Sequence, residues 1–309
     1  MNAPRITVVG AAGGVGSALA HLLLTAPDPY ELALIGRHPD SVSGLLMDAE
    51  SLAPLGRTRL VTRGGAADLH DADVVVMAAA APFVPRTARV EALDLNAEVV
   101  HPYFRELAKL PPDWPGHVIV VTNPVDVFAG WLCRCGRIDR RRVLGYAWND
   151  TLRLRAAVAR ALDEDPADVT AWVVGEHGDA FVALFDRILV RGAPVRLPAA
   201  ARARILAELR GFYTRWGRLG VTRTTEWTTA GGVARMIHDL VHGHPASWPA
   251  SVGLDGEYGL RDVHVGVPVA VGARGLPEVV EWELAPDEYA VLHHAAALVR
   301  DRVAALGRL

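Results

Sequence analysis

Three polar clusters interrupt a largely apolar chain, and together they hold the groups needed to reduce a carbonyl that stands beside a carboxylate. Val174-Gly175-Glu176-His177-Gly178-Asp179 follows an apolar run and sets a histidine next to glycine, a position exposed at a turn. Asn149-Asp150-Thr151-Leu152-Arg153 opens a predicted helix, with the acid and the guanidinium three residues apart and so on one face. Pro85-Arg86-Thr87-Ala88-Arg89 lies in a loop after the Val74–Met77 run, seven residues before Asn96 when counted from Arg89. In such a set the histidine carries a proton, the carboxylate orients it, and the arginines hold an acidic substrate.

A fourth motif is rich in glycine. Gly10-Ala11-Ala12-Gly13-Gly14-Val15-Gly16 follows one apolar strand and opens a helix. The first glycine permits a tight turn, the second lets backbone N–H groups approach a pyrophosphate, and the third lets helix and strand pack closely. About 20 residues further on, an acid is expected to hold the ribose of NAD. The chain has Gly36-Arg37-His38 there. Without the carboxylate a 2′-phosphate is not repelled, and a guanidinium can pair with it. The cofactor reading is therefore NADP in preference to NAD.

The elements that must position these groups follow from the apolar periodicity. Ile6–Val9, Val15–Thr25 and Glu31–Ile35 read as a βαβ opening. Strands at 73–77 and 117–121 alternate with helices over 87–110 and 125–135, which implies a parallel sheet buried on both faces. Beyond that come a helix over 151–162, a strand over 169–174 and apolar segments around 182–190. Helices follow near 199–219 and 225–241, then antiparallel strands with tight turns around 263–271 and a closing helix over 286–306. The fold class is α/β: a Rossmann doubly wound parallel sheet over 1–145, then a mixed α/β substrate domain over 146–309.

Composition removes competing chemistries. Of 32 basic residues in 309, Lys109 is the single lysine. A phosphate-loop lysine, a Schiff base and a Ser-Lys pair all need lysine at a set spacing, and Arg105 occupies the position a Tyr-x-x-x-Lys motif would need. A net charge of −3 with scattered arginines gives no basic stripe for nucleic acid. No apolar stretch approaches ~18 residues, and the start runs straight into a strand, so the expectation is a cytoplasmic protein without a membrane partner. Cys133 and Cys135 lack the second pair that a zinc site requires, so they read as reduced structural thiols and no metal is expected.

Four ordered motifs, the glycine loop, Thr122-Asn123-Pro124-Val125-Asp126, Gly-Glu-His-Gly-Asp, and Gly256-Glu-Tyr-Gly259 with Gly266-Val-Pro-Val269, resemble the lactate/malate dehydrogenase family over nearly the whole chain. That resemblance implies that His177 is the acid/base and that Asp150 fixes its tautomer. It makes Arg153 the grip on the substrate carboxylate and Arg89 the mobile-loop arginine that polarises the carbonyl. Asn123 would lie near cofactor and substrate, Asn96 near the cofactor, and Thr225 at the substrate's side-chain end. A homodimer or homotetramer is implied as well.

Two departures bear on the substrate. Six residues before Arg89, where the family carries arginine for malate or glutamine for lactate, stands Phe83, which cannot pair with a distal carboxylate. Arg86, three residues later, could supply that charge. Trp148-Asn149 and Thr225-Glu226-Trp227 also differ from the family, either as core aromatics or as walls of a reshaped pocket. The leading expectation is an NADP-preferring L-2-hydroxy acid dehydrogenase acting on a small 2-oxo acid with a non-standard side-chain pocket. The alternatives are malate dehydrogenase using Arg86 and a non-catalytic dinucleotide-binding regulator.

Overall fold

Runs of β-branched residues become strands where helices cover both faces. In the computed structural model, which describes residues 3–56, 60–82, 89–221, 223–272 and 275–308, six strands of the first half pair in parallel. They are β1 (Arg5–Val9), β2 (Glu31–Ile35), β3 (Leu60–Arg63), β4 (Val74–Met77), β5 (His117–Val120) and β6 (Val143–Tyr146), in the order β3-β2-β1-β4-β5-β6. The connecting helices are α1 (Gly14–Leu24), α2 (Ser43–Leu52), α3 (Ala67–His70), α4 (Arg89–Leu107) and α5 (Val125–Cys135). β4, β5 and β6 are buried at every position, as strands between two helical layers must be. The strand order reverses between β1 and β4, which opens a crevice at their carboxyl ends.

Two glycines close the crevice floor. Gly10 has φ 88°, and a Cβ there would sit 2.5 Å from the Ala79 nitrogen at the end of β4. A Cβ on Gly16 would sit 2.3 Å from the Gly10 carbonyl oxygen, so α1 rests on its own loop only because both residues lack side chains.

The second half comprises α6 (Trp148–Leu162), β7 (Val169–Thr170), β8 (Val173–Gly175), β9 (Phe181–Ala183), β10 (Leu189–Val190), β11 (Ala193–Pro194), α7 (Ala199–Arg210), α8 (Phe212–Arg218), α9 (Glu226–His242), β12 (Ala246–Asp255), β13 (Arg261–Val271), β14 (Pro277–Val279) and α10 (Pro286–Ala305). β6 also pairs antiparallel with β12, so the sheet continues through β12-β13-β8-β9 and becomes mixed. α9 packs on α1 and thereby brings its own first turn to the glycine loop.

Four details differ from the sequence reading. The 199–219 segment breaks at Gly211 into α7 and α8. The strand expected over 169–174 divides into β7 and β8, which join different sheets. Residues 261–271 form one strand whose turn lies upstream, at 256–260, and its partner β12 carried no strand expectation. α2 and β3 were also silent in the sequence, since α2 buries only Ala49 and β3 lies at the sheet edge. Both cysteines are free thiols, and burial pushes the Cys133 thiol up to about 11. Among the described residues no helix is long and apolar enough to cross a membrane.

Candidate active site

β8 ends at Gly175 with φ 99°, and the following Glu176 is buried in an ion pair with Arg302 of α10. The turn is thus pinned from two sides, because the His177 N–H donates to Asp126 Oδ2 at 2.8 Å. Asp126 is fully buried at the start of α5, and burial pushes its carboxyl up to about 6. It is a positioning residue that the sequence reading quoted within a motif but assigned no role. The available signal was a lone acid inside the apolar run Val125-Asp126-Val127-Phe128.

His177 Nδ1 lies 2.6 Å from Asp150 Oδ2, and Arg153 Nη1 donates to Asp150 Oδ1 at 2.8 Å. The acid and the arginine share one face of α6, as their spacing of three requires. All three side chains are mostly covered, at 8%, 17% and 12% exposure for His177, Asp150 and Arg153. Burial works against the His177 imidazolium, but the Asp150 carboxylate outweighs it and raises the histidine's pKa above its ordinary value. Burial likewise opposes the Asp150 charge, and the facing His177 and Arg153 charges hold its pKa below the usual carboxylate range. With Nδ1 committed to Asp150, Nε2 remains as the ring nitrogen for proton exchange.

Arg153 is held on its other side by residues from distant parts of the chain. Its Nη2 donates to the Tyr213 hydroxyl at 3.1 Å and to Thr225 Oγ1 at 3.4 Å. Its guanidinium carbon stacks 4.0 Å from the Phe212 ring centroid and 4.9 Å from that of Tyr213. Beneath it lies a buried polar layer. Tyr146 donates to Asn149 Oδ1 at 3.0 Å, and Asn149 Nδ2 donates to Thr229 Oγ1 at 2.9 Å. Asn149, one of the positions that departs from the family pattern, is thereby satisfied inside the protein. Trp148 packs near Trp248, with centroids 6.3 Å apart, and so falls to the core-aromatic side of its two readings. Trp227 is 78% exposed and is not a core aromatic.

On the cofactor side, Asn96 joins two loops: its amide donates to the Asn123 carbonyl at 2.9 Å, and its Oδ1 accepts from the Ala81 N–H at 2.8 Å. Arg37 is exposed at the end of β2 and donates to the Ala80 carbonyl at 3.3 Å. Gly13, Gly14, Val15 and Gly16 form the turn and first residues of α1, whose early N–H groups have no intrahelical acceptor. These N–H groups suit a dinucleotide pyrophosphate, and the close backbone approaches at Gly10 and Gly16 set the tight turn that presents them. A Cβ at Gly14 would meet Glu226 of α9, whose Oε1 lies 1.8 Å from that Cβ position, while its Oε2 accepts from Arg223 at 2.8 Å. Phe83 and Arg86 lie outside the described residues, as does the side chain of Arg89, the first residue of α4.

A doubly wound nucleotide-binding sheet that delivers a buried histidine–carboxylate pair beside an arginine defines a nicotinamide-dependent oxidoreductase. Residues 4–145 match the lactate/malate dehydrogenase NAD-binding domain family and residues 149–305 match the lactate/malate dehydrogenase alpha/beta C-terminal domain family. The chain is 34% identical over 304 residues to a malate dehydrogenase of Halobacterium salinarum, covering 94% of this chain and 96% of the relative. It is 29% identical to L-lactate dehydrogenase 2 of Lactiplantibacillus plantarum, over 95% of each chain. The solved malate dehydrogenase of Salinibacter ruber superposes with a TM-score of 0.86 at 28% identity, covering 98% of this chain and 97% of that one. The chain belongs to the lactate/malate dehydrogenase family and is a hydroxy acid dehydrogenase, which sets aside the reading as a non-catalytic regulator.

Proposed function

We propose that the protein interconverts a small 2-hydroxy acid and its 2-oxo acid, with His177 as acid/base. The observation that carries this is the buried chain from His177 Nδ1 through Asp150 to Arg153. A nicotinamide cofactor, when bound, would supply or accept the hydride. In the reducing direction His177 gives its Nε2 proton to the carbonyl oxygen, and Asp150 holds the tautomer and the imidazolium charge. Arg153 grips the substrate carboxylate with its Nη2 edge, taking the place of the Tyr213 and Thr225 contacts. Arg89 stabilises the charge that develops on oxygen. Asn123 lines the same crevice, with Asn96 tying its loop to the end of β4.

For the substrate, the relatives named malate dehydrogenase favour oxaloacetate and malate over the non-standard pocket that Phe83 first suggested. Arg86 then pairs with the distal carboxylate. One observation favours the second reading, a different 2-oxo acid: the polar layer of Tyr146, Asn149, Thr225 and Thr229 together with the Phe212–Tyr213 clamp reshapes the surroundings of Arg153. The cofactor is a nicotinamide dinucleotide, and we assign NADP as preferred because Arg37 replaces the ribose acid. The functional units are 1–145 and 146–309, the assembly is a homodimer or homotetramer, and the location is the cytoplasm.

Steady-state kcat/KM values for oxaloacetate, pyruvate, 2-oxoisocaproate and phenylpyruvate, each with NADPH and NADH, test all of this together. Oxaloacetate with NADPH should lead, and Arg86→Ala should cost oxaloacetate about 10²-fold while sparing pyruvate. A faster monocarboxylate would select the second reading, and an NADH preference would remove the role given to Arg37.

A further inference from the structure

At the far end of α9 from Thr225, His238 and His242 stand four residues apart on one helical face. The helix stops at Gly243 in the left-handed region (φ 62°), and the His244 N–H returns to the Asp239 carbonyl at 3.1 Å. This reversal brings a third imidazole back to the last turn. The ring centroid of His238 is 4.8 Å from that of His242 and 4.7 Å from that of His244. From the turn between α1 and β2, Asp28 places Oδ2 3.5 Å from His238 Nδ1 and 3.9 Å from His242 Nε2. One donor atom each from Asp28, His238 and His242 fall within 4.8 Å of one another.

We propose that Asp28, His238 and His242 form a binding site for a divalent transition-metal ion, zinc being the best match, with His244 flanking it. Ligands bound about 2.0–2.2 Å from a tetrahedral zinc lie about 3.4 Å apart, close to the two Asp28 separations already present. Two imidazoles and one carboxylate suit zinc and its neighbours in the first transition row and not magnesium or calcium, which prefer an all-oxygen shell. Asp239, the other acid whose charge acts on His238, has its carboxylate hydrogen-bonded to Arg235 at 2.9 and 3.0 Å and so is not offered as a ligand, and Tyr30 meets His242 edge-on. His238 lies 13 residues beyond Thr225, about 20 Å along the helix, so the ion would touch no reacting atom. It would instead clamp the end of α9 to the α1–β2 turn.

The test is isothermal titration of the tag-free full chain with zinc sulfate at pH 7.5, with magnesium as a control, on the wild type, His242→Ala and Asp28→Asn. His242 lies at the surface, so its replacement leaves the core intact. One zinc per chain with micromolar affinity is expected, weakened at least about 10-fold in each variant, with no saturable magnesium binding. Zinc should also raise the wild-type Tm by about 2 °C and leave that of His242→Ala unmoved, while dehydrogenase turnover stays the same in both. Absence of saturable zinc binding, or an affinity unchanged in both variants, would overturn the proposal.

Discussion

His177 and His238 are the same residue in two opposite electrostatic settings. His177 is buried against a carboxylate that a neighbouring arginine orients, and its pKa rises. His238 is partly buried and faces two other imidazoles, which together outweigh Asp239 and Asp28, and its pKa falls. Burial pushes both histidines the same way, so the closeness of the carboxylate, hydrogen-bonded at 2.6 Å to His177 and 3.5 Å from His238, decides the outcome. The two settings thus move the two imidazoles in opposite directions.

The largest break in this comparison comes from His177→Asn, which keeps the polar shape and removes the titrating group. Reduction should slow by about 10⁴-fold, the upper range for general acid–base catalysis, with cofactor affinity measured by fluorescence unchanged. Asp150→Asn should sharpen it. Wild-type kcat/KM for 2-oxo acid reduction should fall as pH rises through the His177 pKa, which is raised above the ordinary 6.5. Without the carboxylate, burial is left with less opposition, so the fall moves to lower pH and the maximum drops by about 10²-fold. A profile that does not move would show that Asp150 leaves the His177 charge unaffected. The smallest effect concerns Glu226, whose carboxylate stands beside Gly14 at the positive end of α1, where a pyrophosphate would also sit. Glu226→Gln removes about 0.3–1 kcal/mol of that competition, so the cofactor should bind about 2- to 5-fold tighter, measured by equilibrium titration at low salt.

The legible parts of the molecule were those written in local pattern. The strand–glycine loop–helix opening, the strands at 74–77 and 117–120 and the Asp150–Arg153 face each depend on residues a few positions apart. What stayed hidden was set by distant contacts. Tyr213 and Phe212 reach Arg153 from 60 and 59 residues away, and no spacing rule announces such a clamp. β12 escaped because Pro249, Ser251 and Gly253 interrupt its apolar run, although its register against β13 places Pro249 opposite Pro268. Asn149 looked like a misfit in sequence and is satisfied only because Tyr146 and Thr229 converge on it in space. The His238–His242 spacing was present in the sequence, but Asp28, which gives it meaning, lies more than 200 positions earlier.

The most direct measurement is an NMR titration of the histidine side chains, with the His177 and His238 signals assigned from His177→Asn and His238→Ala. His177 should titrate above 6.5 and His238 below it. Equal values, or the reverse order, would contradict the assignment of His177 as the proton carrier of the dehydrogenase.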